Sequence, residues 1–407
     1  MFDKSLKVNA IYSILGMLLR VVFQAGSFFI ISRALGPSNL GSYITVFTIC
    51  GILAIIFDFG RYFLIIEVIK SKLDLPVRLW SKIFESIKLI PIALAVSCSF
   101  YFFFPDINIF TFIYLSVSIL IFDKLFSYVS AVLVAEENMK VNLMFDILFG
   151  LMKLAAAIVF LYSSTQAVWV WAGLVCLSSA VTAITALIWL NKYYRFDFST
   201  LSLGTYSEIF RTGISFSISN CAQGASSEVD KLSLSYLSTM SAVGQYAVAA
   251  RFANFLNIPC NAVLRVIYSR VYNLSCLRSR FLFCVQACLI LSALFFISGL
   301  IVYFCAPYLI LIVGDEYSNS VGILRILCFV PVFLGGATLF LNYLTACNHQ
   351  KLRAKLSVVF LLVSCVLNII AITLYDAQGA AYATLFSFFI YFIVSLFYAS
   401  KISRVNS

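Results

Sequence analysis

The chain has 407 residues, of which 62% are hydrophobic and 11% charged. Soluble domains run at about 45–50% apolar and about 25% charged, because a surface in water needs that charge, so a water-soluble domain is excluded and the surface faces lipid. The net charge of +11 does not mark a nucleic-acid binder, because the bases flank apolar stretches instead of clustering.

A helix that crosses a bilayer needs about 20 mainly apolar residues, with every backbone group bonded within it. Twelve such stretches follow one another along the chain. In the first half they are residues 8–32, 40–59, 87–104, 109–135, 143–162 and 167–190. In the second half they are residues 213–237, 243–269, 281–304, 321–346, 356–374 and 380–399. The expected fold is an all-α integral membrane protein of about 12 transmembrane helices.

With the N-terminus inside, the inner segments hold 19 bases, among them Lys4, Lys7, Arg61, Lys82, Lys140, Arg278 and Lys351, against Arg33 alone in the outer loops. The positive-inside rule then places both termini in the cytoplasm. Lys4 and Lys7 ahead of an apolar run resemble a secretory signal, but the run is long and carries Arg20 at its centre, so it is read as a retained first helix.

The outer connections are short, the longest being residues 305–320, and leave no room for an extracytoplasmic catalytic domain. The inner loops, the longest being 60–86 and 191–212, are too short for a nucleotide-binding domain, and no GxxxxGK[ST] loop occurs. No enzyme activity is expected. The 12 cysteines are scattered without a CxxC pair, and His349 is the single imidazole, so neither a metal site nor a cofactor is expected.

The two halves resemble each other. Leu40-Gly41-Ser42-Tyr43 opens the second span as Val243-Gly244-Gln245-Tyr246 opens the eighth, and Ala135 precedes Lys140 as Ala346 precedes Lys351. Six spans per half is an even number, so the halves share one orientation. Two six-helix lobes, 1–200 and 201–407, are expected, related by a pseudo-twofold axis along the membrane normal.

Ser32-Arg33-Ala34-Leu35-Gly36-Pro37, Leu40-Gly41-Ser42-Tyr43 and Asp58-Phe59-Gly60, with Asp230-Lys231 and Val243-Gly244-Gln245-Tyr246 in the second half, resemble bacterial O-antigen flippases of the Wzx type. The likeness runs the length of the chain in span number and repeat. It implies a V-shaped, two-lobed transporter of the superfamily that also holds lipid II flippases and multidrug and toxic compound extrusion antiporters. It further implies a cargo of polyprenyl-pyrophosphate-linked oligosaccharide, membrane lipids and other polysaccharide assembly proteins as partners, and a home in the inner membrane.

Charge inside the membrane indicates where such a cargo would sit. A base near mid-bilayer facing lipid costs at least about 2.5–3.5 kcal/mol, so it normally faces a cavity or a partner. Eight bases lie in or at the edge of spans: Arg20, Lys88, Lys124, Lys153, Lys231, Arg251, Arg265 and Arg325. Lys88, Arg265 and Arg325 lie near span ends, within reach of the interface by snorkelling. Lys124 adjoins Asp123, but neighbours on a helix point about 100° apart, so any partner must come from another helix.

Ser13, Arg20, Gln24 and Ser27 share one face of the first span. Ser217, Asn220, Gln223, Ser227 and Asp230 do so in the seventh, and Arg251, Asn254, Asn261 and Arg265 in the eighth. Interhelical hydrogen bonding explains such serines, whereas stripes containing arginine read as cavity linings. Guanidinium forks bind phosphate, and amides bind sugar hydroxyls. The candidate substrate-binding residues are therefore Arg20, Gln24, Lys124, Lys153, Asn220, Lys231, Arg251, Asn254 and Arg265, with Asp123, Asp146 and Asp230 as candidate ion-coupling carboxylates. In the resembling lipid II flippases, bases on the first and eighth helices serve the pyrophosphate. Arg20 holds that helix position, and Ala249-Ala250-Arg251 resembles the corresponding motif.

A cation antiporter of the same superfamily would want acids to dominate, whereas Asp58, Asp123, Asp146, Glu228 and Asp230 are five against eight bases. A polysaccharide polymerase would carry a large outer loop. A structural scaffold would leave the intramembrane charge without a use.

Overall fold

A computed structural model of the chain describes residues 4–71, 75–163, 165–195, 224–273 and 277–405. The described residues are helical throughout apart from turns. In order come α1 (Lys4–Ile56), α2 (Arg61–Ser71), α3 (Leu75–Ser99), α4 (Ile109–Val117), α5 (Asp123–Ala135), α6 (Met139–Leu161) and α7 (Val168–Tyr193). After these come α8 (Val229–Leu237), α9 (Met240–Asn273), α10 (Leu277–Cys305), α11 (Leu309–Val313), α12 (Ser318–Leu327), α13 (Val330–Ala346) and α14 (Gln350–Val405). Seven of the described helices are long and apolar enough to cross a membrane, or eight with the bent pair Asp315–Leu327 and Val330–Ala346 taken as one span. The protein is a multi-pass membrane protein.

Two of these helices each contain a pair of the expected spans. α1 runs 53 residues but turns at Gly36, whose φ of 71° suits glycine, with Pro37 restarting the helix. α14 runs 56 residues and turns at Asp376, with φ 55° and ψ −133°. The outer connections expected at these two places are thus single residues off helical geometry. The expected outer segment 305–320 is itself mostly short helix, including Leu309–Val313.

Among its described residues, the expected inner loop 60–86 is also largely helical. Its first part is α2, and α3 begins at Leu75 with Pro76 in its first turn. Eleven residues with Glu67 and Lys70 among them are too few and too polar to read as a span. Two successive left-handed residues, Phe59 (φ 45°) and Gly60 (φ 69°), separate α1 from α2. Between α4 and α5 the chain widens into one π turn, Ser118–Phe122.

The chain forms two compact units, Met1–Leu35 with Val46–Cys221, and Gly36–Thr45 with Ala222–Ser407. In the first, Ile65, Leu79, Ile83, Phe126, Val129 and Val132 form a buried cluster. Small polar groups link its helices: Ser97 meets Ser116 at 2.7 Å, and Ser118 donates to Ser179 at 3.0 Å. Trp80 Nε1 donates to the Tyr194 carbonyl at 2.7 Å, and the Tyr194 hydroxyl donates to Glu136. Burial and that carboxylate hold the Tyr194 phenol well above its usual range. In the second unit the cluster holds Cys284, Leu291, Leu339, Phe340, Tyr343 and Leu344.

The internal repeat reappears in backbone geometry. Glu137 (φ 59°) and Asn348 (φ 62°) are left-handed at the second position after Ala135 and Ala346. The helix ends are closed in the same way, with Asn138 N donating to Leu133 O at 2.9 Å and His349 N to Leu344 O at 2.8 Å. This six-to-one bond satisfies a carbonyl that the last turn leaves open.

Candidate substrate-binding and ion-pair site

Three bases inside the first unit each hold a carboxylate on another helix. Arg20, on the first arm of α1, places Nη1 3.2 Å from Asp146 Oδ1 on α6. Lys153, two turns further along α6, reaches Asp123 Oδ2 on α5 at 3.3 Å. Lys124, next to Asp123, turns instead to Asp58 Oδ1 at the end of α1, at 2.8 Å. The 100° between adjacent helical residues sends Asp123 and Lys124 to different neighbours, as the sequence requires.

The Phe149 ring lies between two of these cations, with the Arg20 guanidinium carbon 4.6 Å and the Lys153 Nζ 4.5 Å from its centroid. Phe126 stacks on Phe149 with centroids 4.9 Å apart. Cation–π attraction of about 0.5–2 kcal/mol per contact holds cations at low polarity without neutralising them.

The carboxylates are positioned in turn. Asn142 donates to Asp146 Oδ2 at 3.2 Å, and Ser130 donates to Asn142 Oδ1 at 2.8 Å. Gly16 leaves room for Asp146, since a Cβ there would lie 3.2 Å from its Oδ2. Tyr128 donates to Asp58 Oδ1 at 3.1 Å. Asp123 Oδ1 is buried with no hydrogen-bond partner. A cavity of about 20 Å³, room for one water, opens beside Lys124, Tyr128 and Ser86.

Below these pairs, Arg61 is 0% exposed, with Nη1 2.8 Å from Glu85 Oε2 on α3. The approach is off hydrogen-bond geometry, so Nε and both Nη atoms make no hydrogen bond. Lys82 binds both Glu85 oxygens at 3.0 Å.

In the second unit, Lys231 pairs at 2.7 Å with Glu228, the residue that precedes its helix. Tyr246 of α9 donates to Asp230, and its hydroxyl lies 3.2 Å from Thr384 Oγ1 of α14. Arg325 lies over Tyr303, 5.1 Å from its centroid, with a buried Nε that makes no hydrogen bond.

Residues 6–269 match the family described as polysaccharide biosynthesis protein. The chain belongs to that family. The resemblance read from the Ser32–Pro37, Leu40–Tyr43 and Asp58–Gly60 motifs points the same way. No curated protein matches the sequence. Among solved structures, a multidrug resistance MATE family transporter of the MOP superfamily, in an inward-facing conformation, superposes with a TM-score of 0.75 at 15% identity, covering 97% of this chain and 98% of that one. The lipid II flippase MurJ, inward closed, superposes with a TM-score of 0.73 at 15% identity, covering 96% and 87%. A MOP superfamily transporter from Pyrococcus furiosus, described as having a binding pocket of reverse polarity, gives 0.65 at 14% identity, covering 97% and 94%. At these identities the likeness concerns the fold alone, which this chain shares with these proteins.

Within this family member, the structure brings Arg20, Lys124 and Lys153 together with Asp123 and Asp146. Asp58, Tyr128, Asn142 and Phe149 complete the group; of these only Asp58 stood out in the sequence, as an intramembrane acid. Gln24 is half-buried on the face of Arg20, and Ser27 is buried and donates to the Lys153 carbonyl at 3.1 Å. The polar stripe of the first span is therefore partly a helix-packing face. Lys231, Asp230 and Arg251 lie in the second unit, where Asn254 is exposed and accepts from Asn257 at 3.0 Å. Asn220 lies outside the described residues, as does the side chain of Arg265. Arg325, read as near a span end and within reach of the interface, is held against Tyr303 beside the bend between α12 and α13. Arg61, counted as an inner-loop base, is fully buried because α2 folds back against α3 and α5.

Proposed function

We propose that this protein is a flippase that moves polyprenyl-pyrophosphate-linked O-antigen or related oligosaccharide units from the cytoplasmic to the periplasmic leaflet of the bacterial inner membrane, by alternating access. The observation that carries this reading is the group Arg20, Lys153 and Lys124 inside apolar helices, with Arg20 38% exposed. Such cations suit a diphosphate, and Arg20 presents the fork that binds phosphate oxygens in pairs. Membership of the polysaccharide biosynthesis family and the MOP fold support the same reading. Four of the five intramembrane acids hold a base, which disfavours export of organic cations.

An inside-negative potential favours outward movement of the anionic head by about 2.3 kcal/mol per charge per 100 mV. The test is loss of the protein from its host, which should strand lipid-linked oligosaccharide on the cytoplasmic leaflet and abolish the surface polymer. Arg20→Ala and Arg251→Ala should fail to restore it at equal protein levels. A normal polymer, with efflux of cationic dyes lost, would assign the protein to drug export.

Orientation follows from the distribution of bases, with both termini cytoplasmic. Single cysteines at Asn108, Asp315 and Gln378 should react with impermeant maleimide from outside, and those at Lys140, Arg278 and Lys351 only after permeabilisation. The reverse pattern would invert the transport direction.

A further inference from the structure

We infer that Asp146, Asp123 and Asp58 are exchangeable counter-ions that occupy the cationic group when substrate is absent, so that a diphosphate enters only by displacing them. The inference rests on the flippase reading and adds to it an intrinsic competitor for the same cations.

The geometry is one to one: Arg20 with Asp146, Lys153 with Asp123 and Lys124 with Asp58, at 3.2, 3.3 and 2.8 Å. Two pairs join different helical segments and the third joins α5 to the turn after α1, so none is a local helix contact. Two of the pairs leave polar atoms unused, although Asn142 completes Asp146 and Tyr128 adds a second donor to Asp58. Arg20 gives Asp146 one nitrogen, leaving the rest of its fork without a carboxylate, and Asp123 Oδ1 has no donor. A structural salt bridge in low dielectric would be expected to satisfy both partners fully. Phe149 meanwhile supports Arg20 and Lys153 from the ring face whichever anion they hold.

Charge balance gives the arrangement a purpose. Three cations and three carboxylates sum to zero, so the empty group carries no net charge through the membrane field when it reorients. When a diphosphate replaces the carboxylates, the group carries the charge of the cargo. The other groups facing these carboxylates are Tyr62 of α2 and Asn142 for Asp146, Cys176 of α7 for Asp123, and Tyr128 and Arg61 for Asp58.

The experiment is a calorimetric titration of the purified full chain with inorganic pyrophosphate at pH 7.5. Asp146→Asn, Asp123→Asn and Asp58→Asn should each tighten binding at pH 7.5 by about tenfold or more, the scale on which a neighbouring opposite charge shifts an ionic equilibrium. Asp146→Glu keeps the charge and should not reproduce the tightening of Asp146→Asn. Asn variants that bind no tighter, while Arg20→Ala, Lys153→Ala and Lys124→Ala bind weakly, would reduce the carboxylates to fixed supports and leave the flippase reading intact. Cation variants that bind like wild type would overturn both. Where one Asn variant fails to fold, the other two carry the same prediction independently.

Discussion

Replacing Glu85 by alanine should destabilise the protein by about 3–5 kcal/mol, the usual cost of leaving a buried charge without its partner. The Arg61 side chain is 0% exposed, and its Nη1 lies 2.8 Å from Glu85. None of its nitrogens makes a hydrogen bond that could take over from the lost charge. Arg61→Ala should cost less, about 1–3 kcal/mol, because Glu85 keeps Lys82 at 3.0 Å while the arginine's own desolvation is relieved. Arg61→Met combined with Glu85→Met should return close to wild type, since apolar side chains of similar volume often replace a buried pair without loss. Denaturation in detergent, followed by the fluorescence of Trp80 in the same buried cluster, measures all three. A milder loss for Glu85→Ala than for Arg61→Ala would mean that the buried arginine does not depend on Glu85 for its charge compensation and stabilises the fold by another contact.

That network also marks where the sequence stops being informative. Arg61 follows Asp58-Phe59-Gly60 at the end of an apolar run, a place where a base reads as an inner-loop charge. Nothing local reveals that the left-handed pair Phe59 and Gly60 turns the chain back so that α2 packs on α3 and α5. The spans were legible because bilayer crossing demands a long apolar run whatever surrounds it. The repeated pattern at Ala135 and Ala346 was legible because the two end helices with one cap geometry, which fixes a short local sequence. Arg20, Lys124 and Lys153 were legible as costly intramembrane bases, whereas their partners were not. Asp146, Asp123 and Asp58 lie on other helical segments, and pairing across segments depends on helix rotation and depth, which spacing within one span does not encode. The turns at Gly36 and Asp376 were legible as breaks in hydropathy but not as single-residue breaks in a continuous helix.

Gly41→Ala and Gly244→Ala should each disrupt the second unit, and for the same reason. A Cβ on Gly41 would lie 1.7 Å from the Met240 carbonyl oxygen and 3.1 Å from Gly244 N, and a Cβ on Gly244 would lie 2.0 Å from the Pro37 carbonyl oxygen. These are backbone atoms of helical segments, so no side-chain rotation relieves the overlap and residues 36–45 must move away from α9. Overpacking of this kind costs about 1–3 kcal/mol and sometimes more. It would also open a contact in which Leu40, Val243 and Tyr246 are 0% exposed. Gly51 provides the control, because a Cβ there meets nothing within 4 Å in the same helix. Gly51→Ala should be neutral or stabilise by about 0.5–1 kcal/mol, alanine being the better helix former. Because both glycines serve one contact, the double variant should lose less than the sum of the single losses. Melting temperatures in detergent of the three single variants and the double decide the matter. Gly41→Ala melting with Gly51→Ala would show that the repeated Gly-x-Tyr motif does not set the approach of these segments, and strictly additive losses would show that the two glycines serve separate contacts.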